Sequence, residues 1–112
     1  MAQDFKRFGD QDVGTSAVTI HTSNSNDAII SIRLANITTS TINADVFITS
    51  SVTGGSQNHY IIKNAPLVAG GSLELIDGGS KLVMQNGDVV KAQSDTASSL
   101  SVWMSTVDAI SS

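Results

Sequence analysis

The stretch from His59 to Val90 constrains the fold of this chain more than any other segment. Its short apolar runs are interrupted by the pairs Gly70-Gly71, Gly78-Gly79 and Asn86-Gly87. Glycine pairs and an Asn-Gly pair at this spacing are typical of tight turns, and they leave no room for a long helix. The stretch therefore predicts several short antiparallel strands joined by hairpin turns.

The rest of the chain shows the period-two alternation of half-buried strands. Three runs carry apolar residues at every second position, and their apolar members are Ile30, Ile32 and Leu34, then Ile42, Ala44, Val46 and Ile48, and finally Leu100, Val102 and Met104. Because about seven or eight short strands recur at roughly ten-residue spacing, we predict an all-β fold. The expected architecture is a single Ig-like or jelly-roll-like antiparallel β-sandwich.

The chain is expected to form one domain, since 112 residues is close to the commonest domain size. Residues 1–14 are predicted to form a short, polar N-terminal arm, and residues 15–112 the β-sandwich domain. The arm contains Phe5 and Phe8. These two rings either fold back to cap the core or dock on a neighbouring subunit, and the sequence leaves both open.

Charge and hydropathy argue against two classes of partner, nucleic acids and membranes. A net charge of -4 argues against nucleic-acid binding, which normally requires a basic surface. No apolar run approaches the roughly 18 residues of a membrane span. The N-terminus is polar where a secretory signal would be apolar. We therefore expect a protein made in a cytoplasm, with neither nucleic acid nor membrane as its partner.

The surface is predicted to be weakly charged. Charged residues make up 14% of the chain, against roughly 25% in typical globular domains. Serine and threonine take their place and suit the pleated backbone of strands. Because such a surface is poorly protected against association, the composition favours a protein that works within an assembly.

No constellation for chemistry is visible in the sequence. His21 and His59 each lie at a polar position of a strand, and neither has a histidine or carboxylate at ligand spacing, so both are expected to be solvated. Asp10 and Asp12 lack the pattern of a calcium loop. The glycine pairs do not form a phosphate loop. We predict no catalytic residue, no cofactor and no metal, and hence no enzyme.

Two aromatic residues in strands are candidates for contact with a partner. Trp103 alternates with Leu100, Val102 and Met104, which predicts that its ring lies on the outer face of its strand. Together with Tyr60 it could mark a contact patch. A second layer of the core is an equally good interpretation of Trp103.

Several segments together resemble a group of small virion proteins of tailed bacteriophages, common in phages of marine bacteria and cyanobacteria. The similar segments are His59 to Pro66, Ala69 to Leu73, Lys81 to Met84 with Gly87-Asp88, and Gln93-Ser94 with Ala97 to Val102. The resemblance implies a non-enzymatic structural component of the virion, made in the host cytoplasm. Implied partners are other virion proteins (capsid, neck or tail subunits) and copies of the chain itself.

The resemblance leaves the location on the particle open between capsid decoration or cement, the neck or head-tail connection, and a tail accessory role. Contacts are expected through sheet faces, sheet edges and the arm, with Phe5, Phe8, Tyr60 and Trp103 as interaction residues. The alternative is a carbohydrate-binding or host-adhesion β-module. Small β-sandwiches bind sugars through exposed aromatic rings, and Trp103 and Tyr60 would serve here.

Overall fold

The structure of the protein is a computed structural model, and it describes residues 4–23, 27–50, 57–76 and 82–108. All regular structure within these ranges is β-strand. The nine strands in chain order are β1 (Asp4–Val13), β2 (Val18–Thr22), β3 (Asp27–Asn36), β4 (Ile42–Ser50), β5 (Gln57–Leu67), β6 (Ser72–Glu74), β7 (Leu82–Met84), β8 (Val89–Ser94) and β9 (Leu100–Asp108). The described part of the chain has no helix long and apolar enough to cross a membrane.

The strands form two antiparallel sheets. The first sheet has the order β1-β9-β3, followed by β6 and β7, which both pair with β3. The second sheet has the order β2-β8-β4-β5. The chain thus crosses repeatedly between the sheets, which is the jelly-roll form of a β-sandwich. The predicted all-β sandwich is confirmed, and the strand order assigns it to the jelly-roll type.

The core lies between the two sheets and draws its residues from both. The large side chains that are completely or almost completely buried are Val13, Ile29, Ile32, Leu34, Ile42, Val46, Met84, Val90, Leu100, Val102 and Met104. Burial of each such side chain contributes about 1.5–3 kcal/mol relative to leaving it in water. The alternation in β9 predicted its members there correctly. In β4 it did so for Ile42, Ala44 and Val46, whereas Ile48 is only partly buried.

The alternation in β3 is interrupted by a β-bulge. Ile29 pairs with Thr106 and Ser31 with Ser105, so the register shifts at Ile30. As a result Ile29 is fully buried, whereas Ile30 is only half-buried. The predicted core face of Ile30, Ile32 and Leu34 is therefore wrong at its first member. One extra residue in a strand reverses the faces of the residues that precede it.

The segment predicted as an N-terminal arm contains the whole of β1. This strand pairs with β9 along most of its length, from Asp4 opposite Asp108 to Val13 opposite Leu100. Val13 is fully buried in the core, and Phe8 packs against the core from the same strand. Residues 4–13 are consequently an integral edge strand of the first sheet.

Two of the predicted turns contain glycine in a conformation that other residues rarely adopt. Gly70 has a φ of 70° and Gly87 a φ of 95°. Asn86-Gly87 turns the chain between β7 and β8, as the Asn-Gly pair predicts. The third predicted turn, at Gly78-Gly79, lies outside the described residues.

Candidate functional site

The outer face of the first sheet carries the chain's single tryptophan. Trp103 lies on β9, the second strand of that sheet, with Gly9 of β1 opposite on one side and Arg33 of β3 opposite on the other. Its neighbours Val102 and Met104 are buried, whereas 52% of Trp103 is exposed. The outward orientation expected from the alternation is therefore observed.

The indole of Trp103 rests over a glycine of the neighbouring strand. A Cβ atom on Gly9 would lie 3.2 Å from Cε3 of Trp103 and 2.9 Å from the carbonyl oxygen of Val102. The missing side chain leaves the space that the ring occupies. A glycine in an edge strand covered by an aromatic ring is a known way of recovering packing that the glycine itself cannot supply.

Two open troughs flank the indole. The larger has a volume of about 770 Å³, and its lining residues are Arg7, Phe8, Gly9, Asp10, Gln11, Ser101, Val102 and Trp103. The smaller has a volume of about 290 Å³, and its lining residues are Lys6, Arg7, Ile30, Trp103, Ser105 and Thr106. Arg7 and Trp103 line both, so they form the ridge between the two troughs.

The remaining polar side chains of this face are engaged with each other. Glu74 on β6 accepts a hydrogen bond of 2.8 Å from the hydroxyl of Ser31. Its other oxygen lies 3.4 Å from Nε of Arg33, whose side chain is 65% exposed. An exposed ion pair of this kind adds little stability. Its effect here is to offset the charge of Arg33 beside the ridge.

A second aromatic surface lies on the outer face of the second sheet. Tyr60 of β5 is 44% exposed and pairs with Phe47 of β4. The two ring centroids are 5.1 Å apart, and Nζ of Lys63 lies 4.4 Å from the centroid of Tyr60. Val46 points into the core, so the next residue, Phe47, is expected on the outer face. Only 5% of Phe47 is nevertheless exposed, because Tyr60 covers it.

A polar cluster joins the two sheets next to β1. Asp27, which is fully buried, accepts hydrogen bonds on the same carboxylate oxygen from Nε2 of His21 and from the hydroxyl of Ser23, each 2.9 Å long. The ring of His21 stacks on Phe8 at a centroid distance of 4.0 Å. The expectation of a solvated His21 without a carboxylate partner is therefore wrong.

The same cluster contains a serine, a histidine and an aspartate, but their order does not suit nucleophilic catalysis. A catalytic histidine accepts the proton of the serine, and the aspartate orients the far side of its ring. Here Asp27 lies between the other two and binds both Ser23 and His21 directly. The arrangement satisfies a buried carboxylate, and it does not reproduce the order of a catalytic triad.

The four predicted interaction residues do not form one site. Trp103 lies on the first sheet and Tyr60 on the second. Phe8 lines the larger trough and also stacks on His21. Phe5 of β1 pairs with Val107 of β9, and the side chain of Phe5 lies outside the described part of the structure. The interaction role of all four remains a prediction.

Sequence analysis missed Gly9 and Arg7, which complete the surroundings of Trp103. No sequence signal singled out either residue, because the segment around Gly9 lacks the apolar alternation of a strand. Among residues 4–23, 27–50, 57–76 and 82–108, three or more histidine, aspartate or glutamate side chains nowhere gather into a group that could hold a metal ion.

Comparison with protein-family models and with curated proteins finds no match. Among solved structures, the chain is similar in fold to a protein of Bacillus endospore appendages, which form disulfide-linked pili. The TM-score is 0.52 at 19% identity, over 95% of this chain and 84% of that one. It is also similar to a chain in the structure of infectious bursal disease virus, Gx strain, with a TM-score of 0.50 at 11% identity. That match covers 98% of this chain and 32% of the viral one. At these identities the likeness shows the fold alone.

Proposed function

We propose that this chain is a non-enzymatic structural subunit of a repeated assembly, the virion of a tailed phage. There it binds neighbouring capsid or head-tail subunits, as a capsid decoration or cement protein or as a neck or tail accessory protein. The observation that carries the proposal is the open edge of β5. Among the strands that the structure describes, this one is the last of its sheet, and its residues 58–60 are all exposed.

The open part of the β5 edge has none of the features that usually prevent pairing. Residues 58–60 carry no Asp, Glu, Lys, Arg, glycine or proline, and they run in unbroken register with residues 47–49 of β4. Unpaired backbone groups of such an edge are a template for a strand of another chain. Monomeric proteins normally block them with charges, prolines or bulges.

The second half of β5, in contrast, carries several features that block pairing with another strand. Lys63 adds a charge, Asn64 has a positive φ of 54°, and Pro66 cannot donate a hydrogen bond. Two register shifts between β4 and β5 also fall beyond Tyr60. Blocking is thus confined to one half of the strand, which leaves residues 58–60 as the pairing segment.

The comparisons add support of a more general kind. The two solved structures of similar fold come from a pilus and from a virus, and both are assemblies of repeated subunits. The pili are disulfide-linked, whereas this chain contains no cysteine. Its contacts would therefore not be disulfide bonds. The assignment to tailed phages rests on the sequence resemblance.

The test is incorporation into particles of a variant with a blocked edge. His59→Lys places a charge in the pairing segment and should reduce the number of copies per particle, measured by quantitative mass spectrometry of purified virions. Thr39→Lys adds the same charge in an exposed bend and should leave the copy number unchanged. Equal incorporation of both variants would reject the β5 edge as the contact.

The copy number of the wild-type protein distinguishes the possible locations. On the order of hundreds of copies indicates decoration of the capsid surface, and about a dozen or fewer indicates the neck or tail, because symmetry fixes the number of equivalent positions. Absence of the protein from purified virions would contradict the proposed function altogether.

A further inference from the structure

We propose that the partner of the β5 edge is β5 of a second copy of this chain, paired antiparallel about a twofold axis at His59. The inference rests on the proposed assembly function and names the strand that its contact binds. Residues 58–60 of the two copies would pair directly. The second sheets of both molecules, each with the order β2-β8-β4-β5, would thus join into one continuous sheet.

The first argument is the position of the open segment within β5. Asn58, His59 and Tyr60 are exposed and in unbroken register with β4, and the register shifts directly after Tyr60. Two identical antiparallel strands use all three residues of both copies only when the axis passes through the middle one. Asn58 of each copy then lies opposite Tyr60 of the other, and His59 lies opposite its own counterpart. One contact thereby covers the open segment of both molecules.

The second argument is that the other edges in the described part of the chain are protected. β1 carries Asp10 and Asp12 and has a register shift between Asp10 and Val13. β2 has only five residues and shifts register between Thr19 and His21, and β6 and β7 have three residues each. Charges, irregular register and short length all hinder pairing at an edge. Among the edges that the structure describes, the one best suited to pair with β5 is therefore β5 itself.

The third argument is charge. Two copies of a chain with a net charge of -4 at pH 7 repel each other, and a contact is favoured where neither surface is charged. Residues 58–60 contain no Asp, Glu, Lys or Arg. The next cation along β5, Lys63, lies over the Tyr60 ring of its own chain, with Nζ 4.4 Å from the centroid. Pairing about His59 therefore avoids the like charges that destabilise a strand pair when they lie directly opposite each other.

The fourth argument is the arrangement of side chains on the outer face of the second sheet. Tyr60 packs against Phe47 and is still 44% exposed. Asn58 shares its face, because the two residues are two positions apart in one strand. Its Oδ1 accepts a hydrogen bond of 2.9 Å from the hydroxyl of Thr49, which positions the amide. Since directly opposite side chains have Cβ atoms about 4.5–5.5 Å apart, Asn58 of the second copy would cover the exposed part of the Tyr60 ring.

The experiment uses the full chain, whose lack of cysteine allows a single introduced cysteine to report on the contact. An axis at His59 brings position 59 of both copies within reach of a disulfide. In oxidised glutathione, His59→Cys should form a linked dimer at least about tenfold faster than Thr39→Cys, because a preformed pair raises the effective concentration of its thiols. Thr39 is the control, since it lies in an exposed bend. Asn58→Cys faces position 60 of the second copy and should also link slowly. Non-reducing gel electrophoresis measures the three rates.

Sedimentation velocity of the wild type at concentrations up to about 1 mM should show a dimer whose fraction rises with concentration. His59→Lys should remove this dimer, because it places two charges opposite each other. A wild type that stays monomeric, or equal linking rates for His59→Cys and Thr39→Cys, would overturn the inference.

These outcomes are distinguishable from failure of the proposed function. If the wild type is monomeric and His59→Lys still lowers incorporation into virions, the β5 edge binds a different subunit, so this inference fails and the proposed function stands. If His59→Lys removes the dimer without lowering incorporation, the inference stands and the β5 edge is rejected as the contact within the virion.

Discussion

Nε2 of His21 lies 2.9 Å from Oδ2 of Asp27, and this hydrogen bond connects the two sheets of the sandwich. His21 belongs to β2 of the second sheet, and Asp27 is the first residue of β3 in the first sheet. A fully buried carboxylate is tolerated only when donors compensate the loss of water. The cluster therefore ties the end of β2 to the first residue of β3.

Replacement of Asp27 by alanine is expected to destabilise the protein by about 2–3 kcal/mol, because it leaves His21 and Ser23 without their common acceptor. Urea unfolding followed by circular dichroism measures the change in the free energy of unfolding. Asp12→Ala is the control, since that residue is exposed. A similar, small effect of both substitutions would contradict the role assigned to Asp27.

Phe8 and His21 are expected to be energetically coupled in the isolated protein. Their rings stack at 4.0 Å with an interplanar angle of 21°. A double-mutant cycle with Phe8→Ala and His21→Ala should give a coupling energy of about 0.5–1.5 kcal/mol. If Phe8 served only a neighbouring subunit, the two effects would add without coupling in the purified monomer.

The sequence predicted the sandwich because period-two alternation and turn residues are local signals. It could not predict the bulge in β3, where Ile29 and Ile30 are chemically equivalent. Which of the two enters the core depends on the register with β9, whose partner residues lie more than seventy positions further along the chain. Register of this kind is set by long-range pairing, and one extra residue changes it.

Alanine substitutions at Ile29 and Ile30 should therefore differ strongly. Ile29→Ala removes a fully buried side chain and should cost about 2–5 kcal/mol, because it leaves a cavity in the core. Ile30→Ala should cost clearly less, since that side chain is only half-buried at the smaller trough. Thermal unfolding of both variants is the measurement, and the opposite ranking would place the bulge elsewhere.

The candidate site was predictable to a similar degree. Alternation in β9 indicated the outward position of Trp103, since its neighbours are apolar. The approach of Gly9 and Arg7 was not predictable, because β1 and β9 are far apart in the sequence and meet only in the folded sheet. The hydrogen bond between His21 and Asp27 was not predicted, for a related reason. The two residues are six positions apart, yet they lie on different sheets.

Gly9→Ala tests the contact between β1 and the indole. In an edge strand this change normally stabilises a protein by up to about 1 kcal/mol, because alanine restricts the unfolded chain more than glycine does. Here the new Cβ would lie 2.9 Å from the carbonyl oxygen of Val102 and 3.2 Å from Trp103. We expect a loss of about 1–3 kcal/mol instead, since backbone and ring must both shift.

The Trp103→Ala background separates the two contributions to this loss. The clash of a Cβ at Gly9 with the carbonyl oxygen remains there, whereas the clash with the indole is removed. Gly9→Ala should therefore cost less in that background than in the wild type, by an amount that reports on the ring. Urea unfolding of the four proteins gives this difference. An equal cost in both backgrounds would show that the indole does not lie over Gly9, and a gain in stability in the wild type would contradict the close approach of β1 and β9.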